Sequence, residues 1–218
     1  MMRSSQPGPS GLYDPRFEHD ACGVSFVVDI KGRATRRIVE LAIGALCNLE
    51  HRGATGAESD TGDGAGILLQ VPDRFLREVA DFELPPDGHY AVGACFLPKD
   101  EVEREKTVAA IEALVAEEGL TTLGWRDVPV EPDVLGATAR RVMPVFRQLF
   151  VGDPAGAAGI DLDRRIYPLR KRIEHEAGPH DGGSSYFPSL SARTLIYKGM
   201  LTTPQLAAFY PDLRDERV

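Results

Sequence analysis

The stretch HDACGVSFVVDIKG, at residues 19–32, carries the first strand pattern of the sequence. From Cys22 onwards, valine and phenylalanine fall on both faces of an extended chain, which predicts a strand buried on both sides. Residues 1–20 carry three prolines and no apolar period, which indicates a loose leader. Order is therefore expected to begin at Ala21, and the first strand at Cys22.

Helical and strand patterns alternate along the rest of the chain. Apolar residues at helical spacing predict helices, and short apolar runs bounded by glycine or proline predict strands. Helices are expected over residues 36–50, 73–80, 100–119, 161–176 and 204–210, and strands over 66–71, 89–98, 125–130, 140–151 and 191–199. The alternation indicates an α+β domain of layered strands and helices.

Local details of these elements are predicted from a few residues. Asp100, with an acidic residue three positions later, is expected to cap the third helix. Pro144 is expected to confine its strand to a sheet edge or a bulge, and Pro168 to kink the long helix around it. Thr203 is expected to be the N-cap of the last helix, with Pro204 in its first turn.

Size and charge limit the functions that the chain is expected to have. Its 218 residues, 43% of them apolar, are enough for one domain with a buried core. The net charge of −8 comes without a long basic run, which argues against a nucleic-acid partner. No apolar stretch is long enough to span a bilayer, and the N-terminus lacks a secretory signal. The sequence therefore predicts a cytoplasmic protein with no membrane partner.

No metal site and no histidine-based triad are predicted. Gly62, Gly64 and Gly66 lack the sequence context of a phosphate-binding loop. Asp60 and Asp63 do not have the spacing of calcium ligands, and the five histidines show no metal-ligand spacing. This glycine-rich loop is therefore interpreted as a structural turn.

The three cysteines must be explained singly, because they are odd in number and form no C-x-x-C pair. Cys47 and Cys95 lie inside apolar patterns and are interpreted as structural. Cys22 stands where the leader meets the first strand. If the bond after Ala21 were cut, the α-amino group of Cys22, with an ordinary pKa of about 7.7–8.0, would be a general base for its own thiol. The alternative is a buried structural cysteine.

Longer motifs favour the catalytic interpretation of Cys22. The strings HDACGVSFVVDIKG and LEHRGATGAESDTGDGAGILLQVP resemble the glutamine amidotransferase domain that opens the large subunit of glutamate synthases. The resemblance continues through MPVFRQLFV, LRKRIEHE and SLSARTLIYKGML and covers about residues 12–217. Amidotransferases that deliver ammonia to other acceptors share only the Cys-Gly start and the H-R-G element. The amidotransferase domain of a different synthase is the alternative assignment.

The resemblance implies an α+β fold of the N-terminal-nucleophile hydrolase type, a four-layer αββα sandwich that is incomplete at its C-terminus. It implies that residues 1–21 are a propeptide and that residues 22–218 are the N-terminal portion of a type-2 glutamine amidotransferase domain. Cys22 falls on the family's catalytic nucleophile. Arg52 falls on the family's H-R-G arginine, where it would bind the substrate L-glutamine; the alternative for Arg52 is a salt bridge.

The same resemblance implies that ammonia released from glutamine passes to downstream synthase domains, where 2-oxoglutarate accepts it. No cofactor is expected in this segment, whereas the full-length family carries FMN and an iron–sulfur cluster, and some members use a small NADPH-oxidising subunit. The family's H-S-R-F-S-T and H-N-G-E-I-N segments, which supply a carboxylate clamp and the oxyanion hole, do not occur in this sequence. It is therefore expected to be a fragment with low activity alone; the alternative is a non-catalytic binding or regulatory module.

Overall fold

The computed structural model describes residues 23–53, 55, 58–177 and 185–218. The predicted leader at residues 1–21 and the predicted nucleophile Cys22 lie outside this part of the chain. The helices of the described part are α1 (Arg36–Asn48), α2 (Asp73–Val79), α3 (Glu101–Glu117), α4 (Ala137–Val142), α5 (Gly159–Glu176) and α6 (Gln205–Phe209). Its strands are β1 (Ala65–Gln70), β2 (Tyr90–Leu97), β3 (Thr121–Asp127), β4 (Val145–Gly152) and β5 (Thr194–Gly199).

The strands form two antiparallel sheets. In the first sheet, β1 pairs with β5, and Gln70 lies opposite Thr194 at the end of the ladder. In the second sheet, β4 lies between β2 and β3 and is antiparallel to both. Consequently β2 and β3 run in the same direction, with α3 as the crossover between them.

The segment that follows α5 returns to the second sheet. Main-chain hydrogen bonds of 2.9 and 3.1 Å join Phe96 to Tyr186, and bonds of 2.9 and 3.2 Å join Val92 to Ser191. The second sheet and its two long helices therefore follow a βαββαβ path, in which the last extended segment lies beside β2. This whole unit is inserted between β1 and β5.

Two hydrophobic clusters lie on opposite faces of the second sheet, because successive side chains of a strand alternate between faces. The first cluster fills the space between the two sheets and includes Phe150 of β4 and Leu195 of β5. The second cluster packs the sheet against α3 and α5 and includes Cys95, Ile111 and Ile166. Three layers result: the helices α3 and α5, the second sheet and the first sheet.

A buried polar network joins the two sheets. The Arg126 guanidinium donates to both carboxylate oxygens of Asp212 and to Gln148 Oε1, each at 2.8 Å. The Tyr197 hydroxyl donates to Asp212 at 2.8 Å and accepts from Gln148 Nε2 at 3.0 Å. Burial lowers the pKa of Arg126, but the hydrogen bonds and charge of Asp212 outweigh it and raise that pKa overall. Burial, followed by the charge of Asp212, raises the pKa of Tyr197 well above its ordinary value, so the phenol remains a donor.

Most of the predicted elements are confirmed. The structure contains the five predicted helices, and Asp100 caps α3 by accepting the N–H of Glu103 at 2.9 Å. Pro168 lies inside α5, and the kink expected there stays a prediction. The strand predicted to start at Trp125 begins earlier, at Thr121. Within the described ranges, no helix combines the length and the apolar character needed to cross a membrane.

The strand predicted to begin at Cys22 needs correction. Residues 23–29 of the described structure form no strand, and Val24, Phe26 and Val28 are 86%, 89% and 70% exposed. The prediction of a strand buried on both faces is therefore wrong for these residues. Their apolar pattern is correct for a buried strand, but the face that carries Val24, Phe26 and Val28 is left exposed by the described residues.

Two proline predictions also need correction. Residues 140–142 belong to α4, so the strand predicted from residue 140 begins at Val145, directly after Pro144. β4 is then the central strand of its sheet, which Pro144 permits because it precedes the ladder instead of interrupting it. Thr203 is not the N-cap of α6: Pro204 occupies that position, and the buried Thr203 hydroxyl has no hydrogen-bond partner among the described residues.

Candidate active site

The residue that follows Cys22 contacts the H-R-G turn. A Cβ placed on Gly23 would lie 3.2 Å from the Cβ atoms of both Arg52 and Leu49. This spacing is tighter than an ordinary carbon–carbon contact, so a side chain at residue 23 would have to displace Arg52 or Leu49. The backbone next to the predicted nucleophile therefore lies against the predicted substrate-binding arginine.

Arg52 is held by a short turn at the end of α1. The helix ends at Asn48, and a single 3₁₀ turn, Glu50–Arg52, follows. The Arg52 N–H donates to the carbonyl oxygen of Leu49 at 2.8 Å. His51 Nδ1 lies 3.0 Å from the carbonyl oxygen of Asn48, as expected for a residue that shapes the turn. Arg52 is exposed at the surface of this turn.

The loop between this turn and β1 folds back on itself. Thr55 pairs with Gly62 as an antiparallel bridge. The Asp63 carboxylate lies 3.9 Å from the place that a Cβ would occupy on Gly53. The two ends of the loop therefore meet directly beside Arg52.

One carboxylate holds the tip of this loop. Glu58 Oε2 accepts from the Thr61 hydroxyl at 2.8 Å and from the Thr138 main-chain N–H at 3.0 Å, and Oε1 accepts from the Thr138 hydroxyl at 3.0 Å. The main-chain donor of Thr138, followed by the two hydroxyls, holds the pKa of Glu58 below its ordinary value of 4.5. The carboxylate is therefore ionised near neutral pH and ties the loop to the start of α4.

Two glycines let neighbouring main chains approach the loop closely. A Cβ on Gly136 would lie 2.2 Å from Thr61 Oγ1 and 2.7 Å from Asp60 Oδ1. A Cβ on Gly62 would lie 2.3 Å from the carbonyl oxygen of Leu201. Neither position has room for a side chain, which supports the interpretation of the glycine-rich loop as a structural element.

Gln205 links the same loop to two other segments. Its Nε2 donates to the carbonyl oxygens of Asp60 and Val134, each at 2.8 Å, and its Oε1 accepts from the Thr202 N–H at 2.8 Å. Because all three partners are main-chain groups, Gln205 fixes backbone positions. The loop is thus held from the α4 side by Glu58 and from the α6 side by Gln205.

A groove of about 550 Å³ opens over the first sheet and reaches this loop. Residues of β1 and β5 form most of its lining, and Asp63 and Phe96 also contribute to it. Lys198, also in the lining, donates to the Tyr186 hydroxyl at 3.2 Å and lies over the ring of that tyrosine. Within the described residues, no group of three or more histidine, cysteine or acidic side chains is placed to hold a metal ion.

The structure places one of the two predicted site residues. Arg52 lies beside Gly23, whereas Cys22 falls outside the described ranges, so the roles of both stay predictions. Glu58 and its partner Thr138 were not predicted as site residues, because they are 80 positions apart and share no local motif. Cys95 is fully buried, and burial raises the pKa of its thiol, which supports its interpretation as structural.

A family profile and several known proteins are similar to the chain. The profile of class-II glutamine amidotransferases matches residues 22–218. The NADPH glutamate synthase large chain of Bacillus subtilis (strain 168) is 43% identical over 99% of this chain, and that of Azospirillum brasilense is 40% identical over 95%. Ferredoxin-dependent glutamate synthase 2 of Synechocystis sp. is 40% identical over 91% of the chain. The chain spans 13–14% of the length of these relatives.

Proposed function

Because the chain belongs to the class-II glutamine amidotransferases, we propose that it hydrolyses the side-chain amide of L-glutamine, with Cys22 as the nucleophile. The observation that carries the proposal is the contact between Gly23 and Arg52. The backbone that follows Cys22 there lies against the Cβ atom of an arginine in an exposed turn. Removal of residues 1–21 would give Cys22 the free α-amino group that the chemistry needs.

The reaction requires only one residue as nucleophile and base. The α-amino group of Cys22 takes the proton from its own thiol, and the thiolate attacks the amide carbon of glutamine. The bond between carbon and nitrogen then breaks, the proton returns to the leaving nitrogen, and ammonia departs from a thioester. Water attacks the thioester, which releases glutamate and restores the thiol.

Arg52 is proposed to bind or order the substrate. A guanidinium forms paired hydrogen bonds with a carboxylate, which is the part of glutamine that does not react. The contact with Gly23 supports this role, because a carboxylate bound at Arg52 would lie near the start of the mature chain. Replacement of Arg52 by lysine keeps the charge but loses the paired geometry, so it should raise KM for glutamine more than it lowers kcat.

The ammonia is proposed to pass to downstream domains that form glutamate from 2-oxoglutarate. Support comes from the relatives, which are named glutamate synthases and are about seven times longer than the matched segment, as their 14% coverage implies. In this proposal, FMN, the iron–sulfur cluster and any NADPH-oxidising small subunit belong to the rest of the assembly. No residue of this segment is assigned to hold them.

The complete domain is proposed to be a four-layer αββα sandwich. Three of the four layers are supported by the packing of α3 and α5 on the second sheet and of that sheet on the first. In this arrangement a further helical layer would cover the outer face of β1 and β5. Leu68 on that face is 61% exposed and offers apolar surface for such a layer.

The test is the mass and N-terminal sequence of the natural-length protein, followed by labelling with a glutamine-analogue diazoketone. We expect a mature chain that starts at Cys22 and carries one label on that residue. Cys22→Ala should abolish the label, whereas the matched control Cys47→Ser should keep it. A chain that retains residues 1–21 and takes up no label would contradict the proposal and favour a non-catalytic module.

A further inference from the structure

We propose that Glu58 is a positioning residue of this site: its carboxylate fixes the loop that follows Arg52, and the base of that loop lies beside Arg52, near the start of the mature chain. The role rests on the proposed function, since it concerns the same cysteine site. The hydrogen bonds of Glu58 go to Thr61 and Thr138, so it would act through the loop. Its side chain joins the tip of that loop to α4.

Both carboxylate oxygens of Glu58 are hydrogen-bonded. Glu58 accepts three hydrogen bonds of 2.8–3.0 Å from Thr61 and Thr138. One donor lies in the loop itself and the other two lie at the start of α4. A charged acceptor makes stronger hydrogen bonds than a neutral one, so these contacts fix the loop more firmly than ordinary surface contacts.

The loop packs closely against Gly136, directly before α4. Gly136 lies so close that a Cβ there would approach Glu58 Oε2 to 3.0 Å and Thr61 Oγ1 to 2.2 Å. The main-chain N–H of Gly136 also donates to the carbonyl oxygen of Asp60 at 3.2 Å. The loop therefore packs directly on the backbone before α4, and Glu58 provides the charged contact between the two.

The base of the loop lies next to Arg52. Thr55 pairs with Gly62, and the Asp63 carboxylate lies beside Gly53, so both ends of the loop meet next to Arg52. If Glu58 is removed, the loop keeps its base pairing but loses the charged anchor at its tip. Small displacements at the base then reach Arg52, where an error of about 1 Å can cost a factor of about 100 in a positioned reaction.

The experiment measures diazoketone labelling of Cys22 in the natural-length protein. We expect Glu58→Ala to raise the diazoketone concentration for half-maximal labelling by roughly 10- to 100-fold. The rate of alkylation by iodoacetamide, which needs no glutamine site, should change less than about threefold, and the Tm should fall only slightly. Glu58→Gln should restore most of the affinity, because its oxygen still accepts two hydrogen bonds and its amide donates to the Thr138 hydroxyl.

The controls separate positioning from folding. Glu105 is an exposed carboxylate of α3 with no hydrogen bond to the described residues, so Glu105→Ala should leave both reagents unaffected. Thr138→Val removes one donor and keeps the main-chain donor, so its effect should be smaller than that of Glu58→Ala. Should Glu58→Ala slow both reagents equally with a large fall in Tm, or change neither, the positioning role is wrong. Absence of label in the unsubstituted protein would instead overturn the proposed function.

Discussion

Removal of the Asp212 carboxylate is expected to cost the domain a large part of its stability. Asp212 is 3% exposed and its partner Arg126 is 9% exposed. The carboxylate accepts three hydrogen bonds of 2.8 Å, two from Arg126 and one from Tyr197. Loss of one partner of a buried ion pair typically costs about 3–5 kcal/mol, because the other charge stays buried without compensation. We therefore expect Asp212→Ala to lower the free energy of unfolding by about 3–5 kcal/mol.

The assay is urea unfolding of the 218-residue chain, followed by the fluorescence of its single tryptophan. Trp125 precedes Arg126 on β3, and its indole N–H donates to Glu112 Oε1 at 2.9 Å, so its emission reports on this sheet. A double variant with leucine at residues 126 and 212 removes both charges together. It should be more stable than Asp212→Ala, because buried pairs replaced by apolar residues are often nearly neutral.

The matched control is a carboxylate on the same strand. Asp127 is 84% exposed and pairs with Arg147 at 2.8 Å, so Asp127→Ala should cost no more than about 1 kcal/mol. A cost of about 1 kcal/mol or less for Asp212→Ala would refute the reasoning, since it would mean that the Arg126 pair is worth no more than an exposed one. Equal stabilities for Asp212→Ala and the double variant would also refute it.

Four further predictions concern other parts of the molecule. Gly62→Ala should lower the free energy of unfolding by about 1–3 kcal/mol or more, because its Cβ would meet main-chain atoms at 2.3 Å. Gly44 lies in the exposed interior of α1 with open space around it, so Gly44→Ala should raise the free energy of unfolding by about 0.5–1 kcal/mol. Urea unfolding measures both effects. Cys95 should resist iodoacetamide in the native protein and react in urea, as read by mass spectrometry, since it is buried and burial raises its pKa. The Arg217 hydrogen bond lowers the pKa of Asp215 to about 2. Asp215→Asn should therefore lower the free energy of unfolding by its full amount above about pH 5, and the difference from the unsubstituted protein should vanish as the pH falls through about 2. A difference that does not depend on pH would contradict this.

The helices were predictable because their signals are local. The apolar spacing of α5 placed Leu162, Ile166 and Ile173 on one face, and all three are buried against the second sheet. Likewise, the Asp100 cap depends on a residue three positions away. Signals of this range survive in a single sequence because the residues that interact are also neighbours along the chain.

The errors arise where distant residues decide the outcome. The residues from Val24 to Val28 have the composition of a buried strand, but burial depends on partners from elsewhere, and the described residues leave Val24, Phe26 and Val28 exposed. The position of β4 at the centre of its sheet depends on the crossover of α3, which Pro144 could not reveal. At the site, the H-R-G motif identified Arg52, whereas the contact of Glu58 with Thr138 left no pattern in the sequence.

The insertion of the second sheet between β1 and β5 has a consequence for the order of folding. Gln70 and Thr194 lie opposite each other, so the first ladder closes a loop that contains the whole βαββαβ unit. Closing a loop of this length in an unfolded chain costs about 4 kcal/mol in entropy, and that cost disappears once the unit has folded and brought the two ends together.

We therefore expect the amides of β2 and β4 to gain protection before those of β1 and β5 in pulsed hydrogen exchange; simultaneous protection would contradict this order. During synthesis, β1 leaves the ribosome long before its partner β5 exists. β1 therefore stays unpaired while the inserted unit folds. An unpaired apolar strand is prone to aggregation and to chaperone binding, so we expect β1 to be the vulnerable segment of the nascent chain.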